Sequence, residues 1–105
     1  MKILVVTNDP QKFRRMKESS EDDLMGCFRV DNFKKMLNDN QPRVILSDRK
    51  CRKVNKRGEE KPCFFDPDRE LRGTAVSTPV FPIKGWCLWL KIVKIYDKVM
   101  PPGPN

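Results

Sequence analysis

Residues 2–7, Lys2-Ile3-Leu4-Val5-Val6-Thr7, open the chain with an apolar, β-branched run that no polar residue interrupts between Ile3 and Val6. A strand with one wet face alternates apolar and polar side chains, so an unbroken run needs cover on both faces, as at the centre of a parallel sheet. Parallel neighbours require long crossover connections, and the next residues supply one. Asn8, Asp9 and Pro10 give a capping residue and an early helical proline, after which Phe13, Met16 and Lys17 stand at helical spacing among Lys12, Arg14, Arg15 and Glu18. This pattern predicts a helix to about residue 19.

The polar, acidic segment 19–23 reads as a loop, and Gly26-Cys27-Phe28-Arg29-Val30 as a short second strand. Asp31 is expected to cap a second helix whose apolar stripe is Phe33, Met36 and Leu37, and which Asn38-Asp39-Asn40 and Pro42 stop. Arg43-Val44-Ile45-Leu46-Ser47 then repeats the buried-strand pattern and ends at Asp48. The order is βαβαβ. Right-handed crossovers bring the C-terminal ends of such strands to one edge, where Thr7, Asn8, Asp9 and Asp48 are expected to meet.

Periodicity fades from Arg49 to Gly73, which fits either a β-hairpin turning at Gly58 or an ordered loop, with one helical turn at Asp68 to Arg72. Thr74 to Phe81 is extended, is interrupted by Pro79 and contains a fourth strand. From Trp86 to Val99 the lysines Lys91, Lys94 and Lys98 recur at i, i+3 and i+7, which fits a helix and violates strand alternation. The proline-rich tail 101–105 cannot continue that helix and is expected to be flexible, leaving residues 1–100 as a single domain.

With 105 residues the chain has room for one core. No run approaches the roughly 20 apolar residues of a membrane span, and the N-terminal apolar stretch is too short for a signal peptide, so a cytoplasmic protein with no membrane partner is expected. Cys27, Cys51, Cys63 and Cys87 include no CxxC pair and the chain has no histidine, which argues against zinc and against Ser-His or Cys-His nucleophiles. Neither an enzyme nor a metal protein is expected.

Lys and Arg number 22 against 14 Asp and Glu, a net charge of +8. Residues 1–48 are nearly balanced, with nine basic and eight acidic groups, whereas Arg49, Lys50, Arg52, Lys53, Lys56 and Arg57 form a run of cations with no acid among them. Such a cluster either contacts phosphates of a nucleic acid or is a solvated loop.

Two segments carry a resemblance. MKILVVTNDPQKFRRMKE resembles the opening strand and helix of bacterial response-regulator receiver domains, and VDNFKKMLNDNQPRVILSD resembles their second helix and third strand, which ends at the phosphate-accepting aspartate. The likeness covers roughly the first 48 residues. It implies an α/β fold, a receiver-like (flavodoxin-like) parallel sheet flanked by helices and shortened in its C-terminal half. Asp48 takes the phosphoacceptor position. The acidic pair that holds Mg²⁺ in receivers falls on Thr7 and Asn8, with Asp9 one residue beyond, and a lone carboxylate should bind a strongly hydrated cation weakly. No cofactor beyond weak Mg²⁺ is expected.

Receivers also place a hydroxyl after the fourth strand and a lysine after the fifth. Two registers are open. If Thr74 to Thr78 is the fourth strand, Ser77 or Thr78 supplies the hydroxyl and Lys84 ends a fifth strand; if Thr78 to Phe81 is the fourth, Lys84 is a loop lysine and the fifth strand is missing. The expected pocket is Asp9, Asp48, Thr78 and Lys84.

The final helix is apolar around most of its circumference, and Trp86, Trp89 and Val93 share one stripe that is expected to form an interface with a protein partner or a second copy. The function these readings imply is a phosphorylation-independent, receiver-like interaction module in signalling or transcription regulation. The alternatives are a small basic nucleic-acid-binding protein that uses residues 49–57, and a working receiver phosphorylated on Asp48.

Overall fold

The computed structural model describes residues 1–72, 74 and 77–100. In chain order these form β1 (Lys2–Val6), α1 (Pro10–Glu18), β2 (Asp23–Cys27), a 3-10 turn (Val30–Asn32), α2 (Phe33–Asn40) and β3 (Val44–Ser47). There follow β4 (Lys50–Val54), β5 (Glu60–Phe64), α3 (Pro67–Leu71), β6 (Val80–Pro82) and α4 (Trp86–Val99). The architecture is mixed α/β: a four-stranded parallel sheet in the spatial order β2-β1-β3-β6, flanked by helices, and a separate antiparallel hairpin, β4-β5.

β1 lies inside the sheet, and Ile3 to Val6 are completely buried. Because successive strand residues point to opposite faces, its side chains feed two cores. Ile3 and Val5 pack with Met16 of α1 and with Leu90 and Val93 of α4, alongside Val44 and Leu46 of β3. Leu4 and Val6 pack with Phe33 and Leu37 of α2, with Ile45 of β3, and with Cys51 and Phe65 from the base of the hairpin. Both faces of the sheet are thereby covered.

The local signals explain most boundaries. Asp9 caps α1, its Oδ1 accepting from Gln11 N at 3.0 Å and Lys12 N at 3.2 Å, and Pro10 occupies the first helical position. Asp66 caps α3 in the same manner ahead of Pro67. α2 ends where Gln41 turns left-handed at φ 46°.

Three expectations shift. The second strand is Asp23–Cys27, three residues before its expected start, because that register carries Leu24 and Cys27 into the cores beside β1. Asp31 does not cap α2; it lies in the 3-10 turn, and its Oδ2 accepts from Val54 N at 3.1 Å, tying β4 to this turn. The fourth strand of the sheet is Val80–Pro82, so Lys84 belongs to the turn into α4, and no fifth parallel strand exists among the described residues. α3 runs Pro67–Leu71 and α4 spans Trp86–Val99, as its lysine spacing predicts. The tail 101–105 and part of the Thr74 to Thr78 strand register lie outside the described residues.

Segment 49–64 is a hairpin. Gly58, at φ 80°, ends its tight turn, Asn55 Oδ1 accepts from Arg57 N and Glu59 N at 2.9 Å each, and Gly58 N reaches Asn55 O at 3.0 Å. A type I turn followed by a left-handed glycine is a favoured three-residue hairpin closure. The base is fixed by Phe65, whose ring meets Phe33 edge-on with centroids 5.0 Å apart, and by Arg52 N, which donates to Phe28 O at 3.3 Å.

Phe65→Ala removes a fully buried ring that joins hairpin and body, and should cost about 3–5 kcal/mol in urea unfolding. It should also speed tryptic cleavage within residues 49–61. A loss under about 1 kcal/mol would mean that the hairpin base is not part of the cooperative core.

Candidate functional site

The C-terminal ends of β1 and β3 lie side by side, which brings Thr7 and Asp48 together across 41 residues of sequence. Thr7 is fully buried; its Oγ1 donates to Asp48 Oδ2 at 2.7 Å and accepts from Asp9 N at 3.2 Å. Lys12, in the first turn of α1, places Nζ 3.0 Å from the same Asp48 oxygen. The main chain pins the aspartate as well: Asp48 N donates to Val6 O at 2.9 Å, and Ser47 Oγ donates to Asp48 O at 2.7 Å. Asn8, Lys12, Asp48, Arg49 and Lys50 line an open cavity of about 310 Å³ above this cluster.

Chemically this is a carboxylate neutralised from within the chain. The Lys12–Asp48 pair is partly buried, with side chains 39% and 25% exposed, so water screens it incompletely. The Thr7 hydroxyl adds a short hydrogen bond to a charged acceptor, the stronger class of such bonds. Arg49 and Lys50 leave the mouth positive.

Of the expected pocket residues, Asp48 stands at its centre. Asp9 is adjacent, but its carboxylate caps α1. Lys84 lies at the same edge of the sheet, since Ile83 N donates to Ser47 O at 3.2 Å. Its carbonyl accepts from Trp89 Nε1 at 3.2 Å, and its ammonium forms no ion pair among the described residues. Thr78 falls at the opposite end of the sheet, beside Leu37, Asn38, Gln41 and Pro42, because β6 begins at Val80 opposite Ile45. The lysine at Asp48 is Lys12, three residues past the Asp9 cap. That spacing was visible in the sequence but carries no signal until β3 is placed beside β1.

The residues present do not fit a divalent cation. Asp9 spends Oδ1 on helix amides, Thr7 and Asn8 are neutral, and the Lys12 ammonium already pairs with Asp48 Oδ2.

The stripe Trp86, Trp89 and Val93 turns toward the sheet rather than outward. Val93 is 5% exposed, Trp89 stacks on Phe81 at 5.3 Å, and Trp86 packs on the first core. Spacing showed that the three share a face; the sheet buries Val93 and half-buries Trp86 and Trp89. The outward face carries Leu88, Ile92, Ile95, Tyr96 and Val99, between 45% and 75% exposed.

Cys27 and Cys51 sit in the second core, across from Cys63 on the hairpin. Burial, and next the neighbouring Cys51, push the Cys27 thiol from an ordinary 9.0 up to about 12; burial pushes Cys51 up to about 11. Both are neutral at physiological pH. Above pH 9 the unfolded chain ionises these thiols before the folded chain can, so their contribution to stability is complete below pH 9 and is lost as the pH rises toward about 11 for Cys51 and about 12 for Cys27. Thermal midpoints should therefore fall steeply across that interval, and less steeply in Cys27→Ala. Thiol reagents at pH 8 should label exposed Cys87 long before Cys27 or Cys51. Rapid labelling of all four cysteines would contradict this placement.

Comparison with family models, with curated proteins and with solved structures returns no match, so the site is described by its geometry alone.

Proposed function

We propose that this chain is a receiver-like protein-interaction module, acting in signalling or transcription control, whose state does not depend on phosphorylation of Asp48. The observation that carries the reading is the double engagement of Asp48 Oδ2, by Lys12 Nζ at 3.0 Å and Thr7 Oγ1 at 2.7 Å. A phosphoacceptor needs a divalent cation to offset the incoming phosphate charge, held by carboxylates next to the acceptor. Here a fixed ammonium supplies positive charge permanently, and no second carboxylate is free beside it. Support from the fold is the spatial order β2-β1-β3-β6, which matches the first four strands of the flavodoxin-like order 2-1-3-4-5.

The docking surface of the module is the outward face of α4, and its occupant is a second copy of the chain. Leu88, Ile92, Ile95 and Val99 repeat at spacings of four, three and four, the seam of a two-helix coiled coil. Lys91 and Lys98 flank one side of this seam, and Trp89 and Tyr96 the other. In a parallel pairing Lys91 of one copy faces Tyr96 of the other instead of a like charge, a favourable cation–π arrangement. Four exposed apolar side chains in one contiguous stripe make a patch of the kind that marks an interaction surface.

Acetyl phosphate with Mg²⁺ should leave the intact mass of the protein unchanged. A stoichiometric phosphate adduct that disappears in Asp48→Asn would overturn the phosphorylation-independent reading. Sedimentation velocity should report a dimer at micromolar concentration, converted to a folded monomer by Ile92→Glu or Ile95→Glu. A wild-type chain that remains monomeric at high micromolar concentration would remove α4 as a self-association surface.

A further inference from the structure

The β4-β5 hairpin holds seven of the 22 basic residues and only two of the 14 acidic ones, within residues 49–64. Its two faces handle that charge differently. On one, Glu60 is shared between Arg52 at 3.3 Å and Arg29 at 3.6 Å, so the cations are compensated. On the other, Lys53 stands directly opposite Lys61 in the strand register, and Lys56 joins them from the turn around an open concavity of about 540 Å³. Val54, Asn55, Pro62 and Cys63 complete its lining. Among the described residues no carboxylate pairs with Lys53, Lys56, Lys61 or Arg57.

Like charges placed directly across a strand pair destabilise it, so this face works against the ribbon's own folding. A bound polyanion removes that repulsion. The face is also held ready. Cys51 and Phe65 anchor the base in the second core, and the Asn55 side chain and Gly58 fix the turn that presents Lys56 and Arg57. Residues 55–62 beyond that anchor are exposed apart from half-buried Asn55, which makes the ribbon an arm with solvent on both sides. An extent of 49 Å along the longest axis and a radius of gyration of 14.1 Å, against about 13 Å for a compact chain of this length, agree with a projecting element.

We infer that the ribbon is a nucleic-acid-binding arm that grips the phosphate backbone of double-stranded B-form DNA, with Lys53, Lys56 and Lys61 as the contact set. The shape selects the duplex: the B-form major groove admits a two-stranded β-ribbon, whereas the A-form RNA major groove is too deep and narrow for side chains to read. The chemistry selects the mode. Lysine ammoniums are point charges suited to phosphate, and Arg52 is held by Glu60, which leaves Arg57 at the exposed turn beside three lysines. Phosphate contacts therefore dominate, and binding is independent of sequence to first order. The inference does not rest on the receiver-like reading, and loss of α4 dimerisation leaves the arm in place.

The test uses the full chain and fluorescence anisotropy with a labelled mixed-sequence DNA duplex of about 20 base pairs, titrated between about 50 and 200 mM salt. Binding should weaken steeply with salt, with a log–log slope near −3, as expected for about three phosphate contacts. Lys53→Gln/Lys61→Gln, which leaves the exposed fold intact by circular dichroism, should lower affinity at least about tenfold and shrink the slope by about 2. Lys56→Gln/Arg57→Gln at the turn gives an independent check, with a smaller loss in the same direction. An RNA duplex of equal length should bind several-fold more weakly, and a second DNA sequence equally well. Absence of binding at about 50 mM salt, an unchanged slope in both variants, or equal or tighter binding of the RNA duplex or of a poly-glutamate peptide would overturn the proposal.

Discussion

Complete burial of β1 is the constraint on which the rest of the molecule depends. Ile3, Leu4, Val5 and Val6 have no water on either side, and a strand in that position obliges the chain to supply two cores rather than one. α1 and α4 cover the face of Ile3 and Val5, while α2 and the hairpin base cover that of Leu4 and Val6. With four strands in the sheet, α4 must seal the region beside β6, and it does so with its tryptophan side: Trp89 lies flat on Phe81, and Leu90 and Val93 reach the sheet. The cost is that Leu88, Ile92, Ile95 and Val99 are left facing outward.

The same central strand creates the polar cluster. A fully buried Thr7 has no access to water, so its hydroxyl must find partners inside the protein, and Asp48 Oδ2 and Asp9 N provide them. Asp48 in turn is a charge at a strand end, and Lys12 balances it. The three residues satisfy one another, which makes the cluster a preorganised structural unit as well as a candidate for function. Asp9 is drawn out of it by the competing demand of the α1 amides, and this competition between capping and pocket decides its role.

Charge is partitioned as clearly as apolar area. Asp22 holds both the N-terminal ammonium and Lys94, and Arg43 meets Asp97 at 2.6 Å, so the body joins its own elements with compensated pairs. The hairpin does so on one face only, through Glu60 with Arg52 and Arg29, while its concave face concentrates amines with no acid among them. That contrast separates a self-sufficient body from an arm whose electrostatics look outward.

Local chemistry was enough to read the alternating strand and helix order through Ser47, a cap at Asn8 or Asp9 ahead of Pro10, and the full span of α4, because unbroken β-branched runs, capping residues and lysine spacing act over a few residues. The register of β2 was not legible, since Asp23–Cys27 and Gly26–Val30 are comparably short and only pairing with β1 selects the one that buries Leu24 and Cys27. Of the site, Asp48 and its edge of the sheet were readable, whereas Lys12 as its partner and Thr78 as a residue of the far end were not. Those positions depend on which strands become neighbours, and that is settled by burial across dozens of residues. The direction of the α4 faces follows the same rule: the sequence determined which side chains share a stripe, and the sheet, by taking the Trp86, Trp89 and Val93 side into the core, decided which stripe was left for water.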